Sequence, residues 1–242
     1  MAPITAPHLP LAGSSLLDRR GYYRSPVTLP PYRLGRAAPN KGRRFPPEVL
    51  TPDEVYALMR ACGAGPAGRR NRALIAVLWR CGLRCAEALA LYPKDIDFAR
   101  GEVQVLHGKG DRRRVVAIDP GAAALCEAWI QQRRALELTG RHPFFCVISE
   151  PTRGMPLGSP YVRELFKRLA ERAGIDKRVH AHGLRHTYAA FLIEQPEVNL
   201  LDVKTMLGHS SLAVTERYVD HLNPSERLAK VRSVSWPDGL TA

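Results

Sequence analysis

Residues 69–79 set the strongest constraint on the fold. Leu74, Ile75, Val77, Leu78 and Trp79 make this segment too apolar for anything but an interior, and a helix that is hydrophobic on all sides is stable only when other elements cover it. The surrounding sequence supplies that cover. Thr51-Pro52-Asp53-Glu54 reads as a helix start, with Thr51 as N-cap, Pro52 at the first helical position and Glu54 completing a capping box. Val55, Leu58 and Met59 then share a face, and the helix ends near Gly63. Cys81-Gly82-Leu83-Arg84 breaks the buried helix, and a third is expected over 85–91. The period then changes. Residues 102–106 and 114–118 are short and valine-rich and flank a Gly-Lys-Gly turn, which predicts a β-hairpin with a basic tip. Helices are expected again over 120–138, 159–173, 182–194, 200–207, 211–218 and 224–231, and no internal repeat is present. The expected class is α+β: a mostly helical domain with one small antiparallel sheet over residues 51–242.

Residues 1–50 behave differently. They hold nine of the 20 prolines and eight basic side chains against Asp18 and Glu48. Such sequence buries too little apolar surface to offset its ordering entropy, so it reads as an extended or disordered arm. An inert linker and a DNA-contacting arm both fit that reading. The whole chain has 242 residues and carries 36 Lys+Arg against 23 Asp+Glu, a formal charge of +13. That balance suits phosphate-bearing partners, because each cation that meets a DNA phosphate releases condensed counterions. Arg43 and Arg44 in the arm, and Arg112 and Arg113 at the hairpin tip, are candidate phosphate contacts. No apolar run approaches the roughly 18–20 residues that span a bilayer, and residues 1–17 lack a signal-peptide core. A membrane protein and a secreted disulfide scaffold are thereby disfavoured, and a cytoplasmic, nucleoid-associated location is expected. Five cysteines, an odd number, lie in apolar surroundings. Cys81 and Cys85 lack a second ligand pair for zinc, so all five read as buried thiols.

Five stretches stand out for chemistry. Gly82-Leu83-Arg84 places an arginine at a helix start, with Glu87 three residues on and on the same face. The hairpin tip presents Lys109 between two glycines. His182-Gly183-Leu184-Arg185 puts a histidine and an arginine one helical turn apart. Leu207-Gly208-His209-Ser210-Ser211 ends one helix and begins the next, and Tyr218 closes that next helix. Each alone has an ordinary reading: a surface ion pair, a solvated turn lysine, a capping or core histidine, a helix C-terminal histidine, a packing tyrosine.

In order and at these spacings, the five stretches resemble the tyrosine recombinase (phage integrase-like) family over about residues 51–235. Gly82-Leu83-Arg84 matches its first arginine motif, Gly108-Lys109-Gly110 its hairpin lysine, His182 to Arg185 its His-x-x-Arg box, residues 207–211 its Leu-Gly-His-Ser-Ser box, and Arg217-Tyr218 the nucleophile's context. The resemblance implies a site-specific recombinase that cuts and rejoins DNA through a 3′-phosphotyrosine, with no metal, cofactor or ATP. It implies Arg84 and Arg185 as the clamp on the nonbridging oxygens and Tyr218 as nucleophile. It makes His182 a base or an orienting group, Lys109 the general acid and His209 a hydrogen-bond donor. Glu87 is expected to position neighbours rather than react.

Family members commonly carry an N-terminal core-binding domain, and residues 1–50 are too few and too rich in proline to form one. The arm substitutes for that clamp, or a partner DNA-binding protein supplies it. The expected partners are double-stranded DNA and a homotetramer assembled on it. The last helix docks on a neighbouring protomer or closes its own core. Two other readings use the same residues: a type IB topoisomerase-like enzyme that relaxes supercoils, and a non-catalytic DNA-binding protein of the same fold.

Overall fold

The computed structural model of the protein describes residues 49–106, 113–195 and 197–208. The arm (residues 1–48), the hairpin tip at 107–112 and the helices expected over 211–218 and 224–231 lie outside them. The helices are α1 (Pro52–Ala61), α2 (Pro66–Arg80), α3 (Cys85–Leu89), α4 (Pro120–Ala135), α5 (Ser159–Ala173), α6 (Ala181–Glu194) and α7 (Leu200–Leu207). The strands are β1 (Ile96–Asp97), β2 (Glu102–Val105) and β3 (Arg114–Ala117).

The apolar segment becomes the centre of the domain. Every residue of α2 from Ala73 to Trp79 is buried, with α4 and α6 packed against it. Trp129 of α4, Phe144 and Phe145 of the following loop, and Phe166 of α5 complete the core. Each such side chain contributes about 1.5–3 kcal/mol by leaving water. α1 packs on α5, and its predicted cap is present: Glu54 N–H donates to Thr51 Oγ1 at 3.2 Å, and Thr51 N–H to Glu54 Oε2 at 2.7 Å. A smaller cluster of Tyr188, Ala189, Leu192, Val203 and Leu207 joins α6 to α7.

The sheet is antiparallel in the order β1-β2-β3, with Val103 opposite Val116 and Val105 opposite Arg114. Strand β1 was not expected. It is two residues long, too short to show any period, and it pairs Ile96 with Val103. Other differences lie at element ends. α2 begins at Pro66 rather than Arg69, because proline at N1 loses no intrahelical bond there. α3 stops at Leu89, and a short 3-10 turn over Pro93–Asp95 leads into β1. α4 stops at Ala135, where Leu138 N–H turns back to the Arg133 carbonyl at 2.9 Å. Buried Arg133 then holds the loop beyond, donating to the carbonyls of Thr139, His142, Pro143 and Phe144.

All five cysteines are free thiols. Cys81, Cys126 and Cys146 are buried and Cys62 and Cys85 half-buried. Burial pushes the Cys126 thiol up to about 12 and that of Cys62 to about 11, so both stay protonated. Among the described residues no helix is long and apolar enough to cross a membrane.

The chain enters the domain directly beneath α6. The amide of Leu50, itself 2% exposed, donates to Thr187 Oγ1 at 3.0 Å, and that hydroxyl donates to the Gly183 carbonyl at 3.0 Å. Thr187→Val keeps the shape and strands a buried N–H. It is expected to lower unfolding free energy by about 1–3 kcal/mol in urea titrations, whereas Thr187→Ser, which keeps the acceptor, should recover most of the loss.

Candidate active site

The site begins where α2 stops. Its C-cap, Cys81, is followed by Gly82 in the left-handed region at φ +61°. A Cβ there would lie 2.4 Å from the ring of Tyr188 and 2.9 Å from Leu207, so only glycine allows α2, α6 and α7 to close on this turn. Two residues on, Arg84 caps α3. Its backbone N–H donates to Glu87 Oε2 at 2.8 Å, and its guanidinium Nη1 donates to Glu87 Oε1 at 2.7 Å. The expected pairing across one turn of helix is therefore present, but it extends further. Glu87 is 4% exposed and also receives both prongs of Arg114, Nη1 to Oε1 at 3.0 Å and Nη2 to Oε2 at 2.8 Å. Arg185, from α6, brings its Nη1 to 4.0 Å from Oε2.

The same three arginines converge on the end of α7. A helix C-terminus leaves carbonyls without intrahelical partners and carries partial negative charge. Arg114 Nε donates to the Met206 carbonyl at 3.4 Å, Arg185 Nη2 to that of Leu207, and Arg84 Nη2 to that of Gly208 at 3.2 Å. Arg185 Nη1 also donates to the Gly82 carbonyl at 2.5 Å. Gly208 ends α7 in the left-handed conformation at φ +63°. Among the described residues three guanidinium groups thus share the Glu87 carboxylate and a set of backbone oxygens.

His182 stands exposed at the start of α6, with its ring 4.2 Å from that of His186 and 6.5 Å from that of His180. Partial desolvation, then the charges of Arg185, His180 and Arg84, hold its pKa below the usual imidazole value. It is therefore neutral at physiological pH and able to accept a proton. The cap of α6 is His180, two residues earlier, whose Nδ1 accepts from Gly183 N–H at 2.8 Å. Arg84, Arg185 and Glu87 therefore assemble as one constellation, with His182 one turn before Arg185 on the same helix. Arg113 is exposed immediately before β3. Lys109, His209, Tyr218, Arg43, Arg44 and Arg112 lie outside the described residues. Arg114 was not singled out by the sequence reading. A signal for it existed: strand period places 114, 116 and 118 on one face, and Val116 and Ile118 on that face are buried.

The Phage integrase family model matches residues 48–224, and the chain belongs to that family. Tyrosine recombinase XerC of Xanthomonas campestris pv. campestris (strain B100) is 37% identical over 201 residues, which cover 83% of this chain and 58% of the relative. Tyrosine recombinase XerA of Thermococcus kodakarensis is 32% identical over 200 residues, covering 81% of this chain and 67% of the relative. The chain thus spans less than two thirds of the Xanthomonas protein's length. Among solved structures, an XerA recombinase superposes with a TM-score of 0.66 at 25% identity, covering 85% of this chain and 73% of that one. The XerH site-specific recombinase bound to difH substrate, in a pre-cleavage complex, superposes with a TM-score of 0.62 at 26% identity, covering 79% and 56%. The mostly helical architecture with a small antiparallel sheet is the tyrosine recombinase catalytic fold.

Glu87 gives the site a pH dependence. Burial alone would raise its carboxyl, but the bonds from Arg114 and Arg84 outweigh burial and hold it at about 2, below an ordinary value of 4.5. Between those values the unfolded chain binds more protons than the folded one, so stability rises with pH through this window and is complete above it. Asp119 and Glu54 are lowered as well and share the direction. Comparison with Glu87→Gln isolates the Glu87 share. The variant should be less stable at neutral pH by about 3 kcal/mol, since it breaks a buried pair, and that deficit should shrink as pH falls from 4.5 toward 2. Urea midpoints across that range measure it.

Proposed function

We propose that residues 51–242 form the catalytic domain of a site-specific recombinase that cuts and rejoins double-stranded DNA through a covalent 3′-phosphotyrosine at Tyr218. The observation that carries this reading is the convergence of Arg84 and Arg185 on Glu87 and on the end of α7, directly before the segment that bears His209 and Tyr218. Phosphodiester exchange needs its nonbridging oxygens held by preorganised positive charge. Arginine suits that task because its planar fork makes paired, charge-assisted bonds and keeps its proton. The resemblance in sequence to XerC and in fold to a difH-bound XerH supports DNA as the substrate.

In this scheme Tyr218 attacks the scissile phosphorus and the bond to the 5′ oxygen breaks. A phenol with a pKa near 10 must lose its proton as it attacks, and neutral His182 takes that proton or orients the equatorial oxygens. Lys109 protonates the departing 5′ oxygen, and His209 donates to a nonbridging oxygen. A 5′ hydroxyl from the partner strand then displaces the tyrosine. One phosphate ester replaces another, so neither ATP nor a metal is required. Arg43, Arg44, Arg112 and Arg113 contact phosphates and set position rather than sequence. The working form is a homotetramer on DNA in the cytoplasm, with the arm of residues 1–50 or an accessory DNA-binding protein completing the clamp.

The test is by residue, on a suicide substrate whose cleaved end cannot be religated. Tyr218→Phe should bind this DNA and form no covalent adduct; an adduct of undiminished yield removes Tyr218 from the scheme. Lys109→Ala should cleave ordinary DNA slowly and recover its rate when the 5′ bridging oxygen is replaced by sulfur, which leaves without protonation. Relaxation of a supercoiled plasmid lacking any target site would instead favour topoisomerase action, and sequence-specific binding without an adduct a non-catalytic role.

A further inference from the structure

We infer that Arg114 is a positioning residue of this site, fastening the base of the β2–β3 hairpin to Glu87 and to the end of α7 so that Arg84 is held in its reactive orientation. The inference rests on the recombinase reading and adds to it a residue outside the arginine, lysine, histidine and tyrosine set.

Register directs Arg114 inward. It faces Val105 across the hairpin and shares a strand face with buried Val116. Its side chain is only 13% exposed, so it is no solvated strand-end arginine. The paired prongs of its fork take both oxygens of Glu87. Those same oxygens receive the Arg84 guanidinium and backbone N–H. The Glu87 carboxylate is thus gripped from two sides, and its plane, which decides where Arg84 points, is fixed by Arg114. Without that fork the carboxylate can rotate about its terminal torsion and Arg84 can follow it.

The rest of the side chain secures the neighbouring turn. Nε reaches the Met206 carbonyl. A Cβ built on Gly208 would meet Arg114 Cδ and Nε at 3.1 Å and Cζ at 3.2 Å, so the Arg114 side chain lies close against this glycine. One side chain therefore ties together three parts of the proposed machinery: the strand that leaves the Lys109 turn, the helix start that holds Arg84, and the peptide that leads to His209 and Tyr218. With its paired prongs on Glu87, Arg114 acts through Arg84 rather than on the phosphate. Lysine cannot replace it, because a single ammonium cannot hold both oxygens in plane.

The test uses the full chain with Arg114→Ala and Arg114→Lys, and with exposed Val115→Ala as a control. Both arginine variants are first confirmed folded by circular dichroism; the lysine variant, which keeps the charge, carries the test should the alanine variant not fold. On a suicide DNA substrate the single-turnover cleavage rate should fall roughly 10- to 100-fold, as is usual when the residue orienting a reactive group is removed, while DNA affinity stays near that of the unaltered chain. Replacing one nonbridging oxygen of the scissile phosphate by methyl removes the charge that Arg84 meets. On that substrate most of the loss should disappear, as it should for Arg84→Ala. A purely structural defect slows both substrates equally, and that result, or an unchanged rate on the ordinary one, overturns the assignment. The Arg84 guanidinium is also followed by NMR, where slow proton exchange in the unaltered chain should become fast in Arg114→Lys. Should the unaltered chain make no Tyr218-dependent adduct, the recombinase reading fails, and this signal still decides whether Arg114 holds Arg84: an Arg84 resonance indifferent to Arg114→Lys overturns it.

Discussion

Glu87 accepts from Arg84 and Arg114 through both of its oxygens, and the last carbonyls of α7 accept from those two arginines and from Arg185. Everything else at the site follows from this shared pair of acceptors. The three cations come from a helix start, a strand start and the first turn and a half of a helix, segments that the apolar core brings together and these oxygens then bind to one another. Cations gathered on one carboxylate repel one another, the more so where burial lowers the effective dielectric. One buried carboxylate and a helix end with its partial negative charge offset that repulsion without neutralising it.

The central helix, the capping box on α1, the hairpin and the spans of α5 and α7 were legible in the sequence because each is written in local chemistry. Thr51 and Glu54 are three residues apart, and the apolar run 73–79 has one way to be buried. The constellation of Arg84, Glu87, His182 and Arg185 was legible only through ordered resemblance, since no local pattern tells a clamp arginine from a surface one. Strand β1 was hidden because two residues carry no periodicity. The role of Arg114 was hidden for a different reason. Its partners lie 27 and 92 residues away, and a charged residue at a strand's first position looks like a solvated end until the strand's burial phase is counted. A cation on the same face as Val116 and Ile118 has to find an anion.

Among the described residues Glu87 is the carboxylate that the three arginines share, and under the recombinase reading proposed above that ratio of charges suits a phosphodiester substrate. A phosphodiester carries one negative charge, and the five-coordinate transition state adds another as the nucleophile bonds before the leaving oxygen is fully protonated. A site already neutral would have to create its attraction by moving groups during the reaction, which costs energy at the barrier. Among the described residues three guanidinium groups face the Glu87 carboxylate, and the carbonyls that accept from them are dipoles, which fix direction without adding negative charge. Under that reading the positive charge is in place before substrate arrives. The Arg84 side chain is 28% exposed, whereas that of Arg185, at 1%, is buried. Backbone oxygens at the end of α7 hold the three arginines without the desolvation cost that a second buried carboxylate would add.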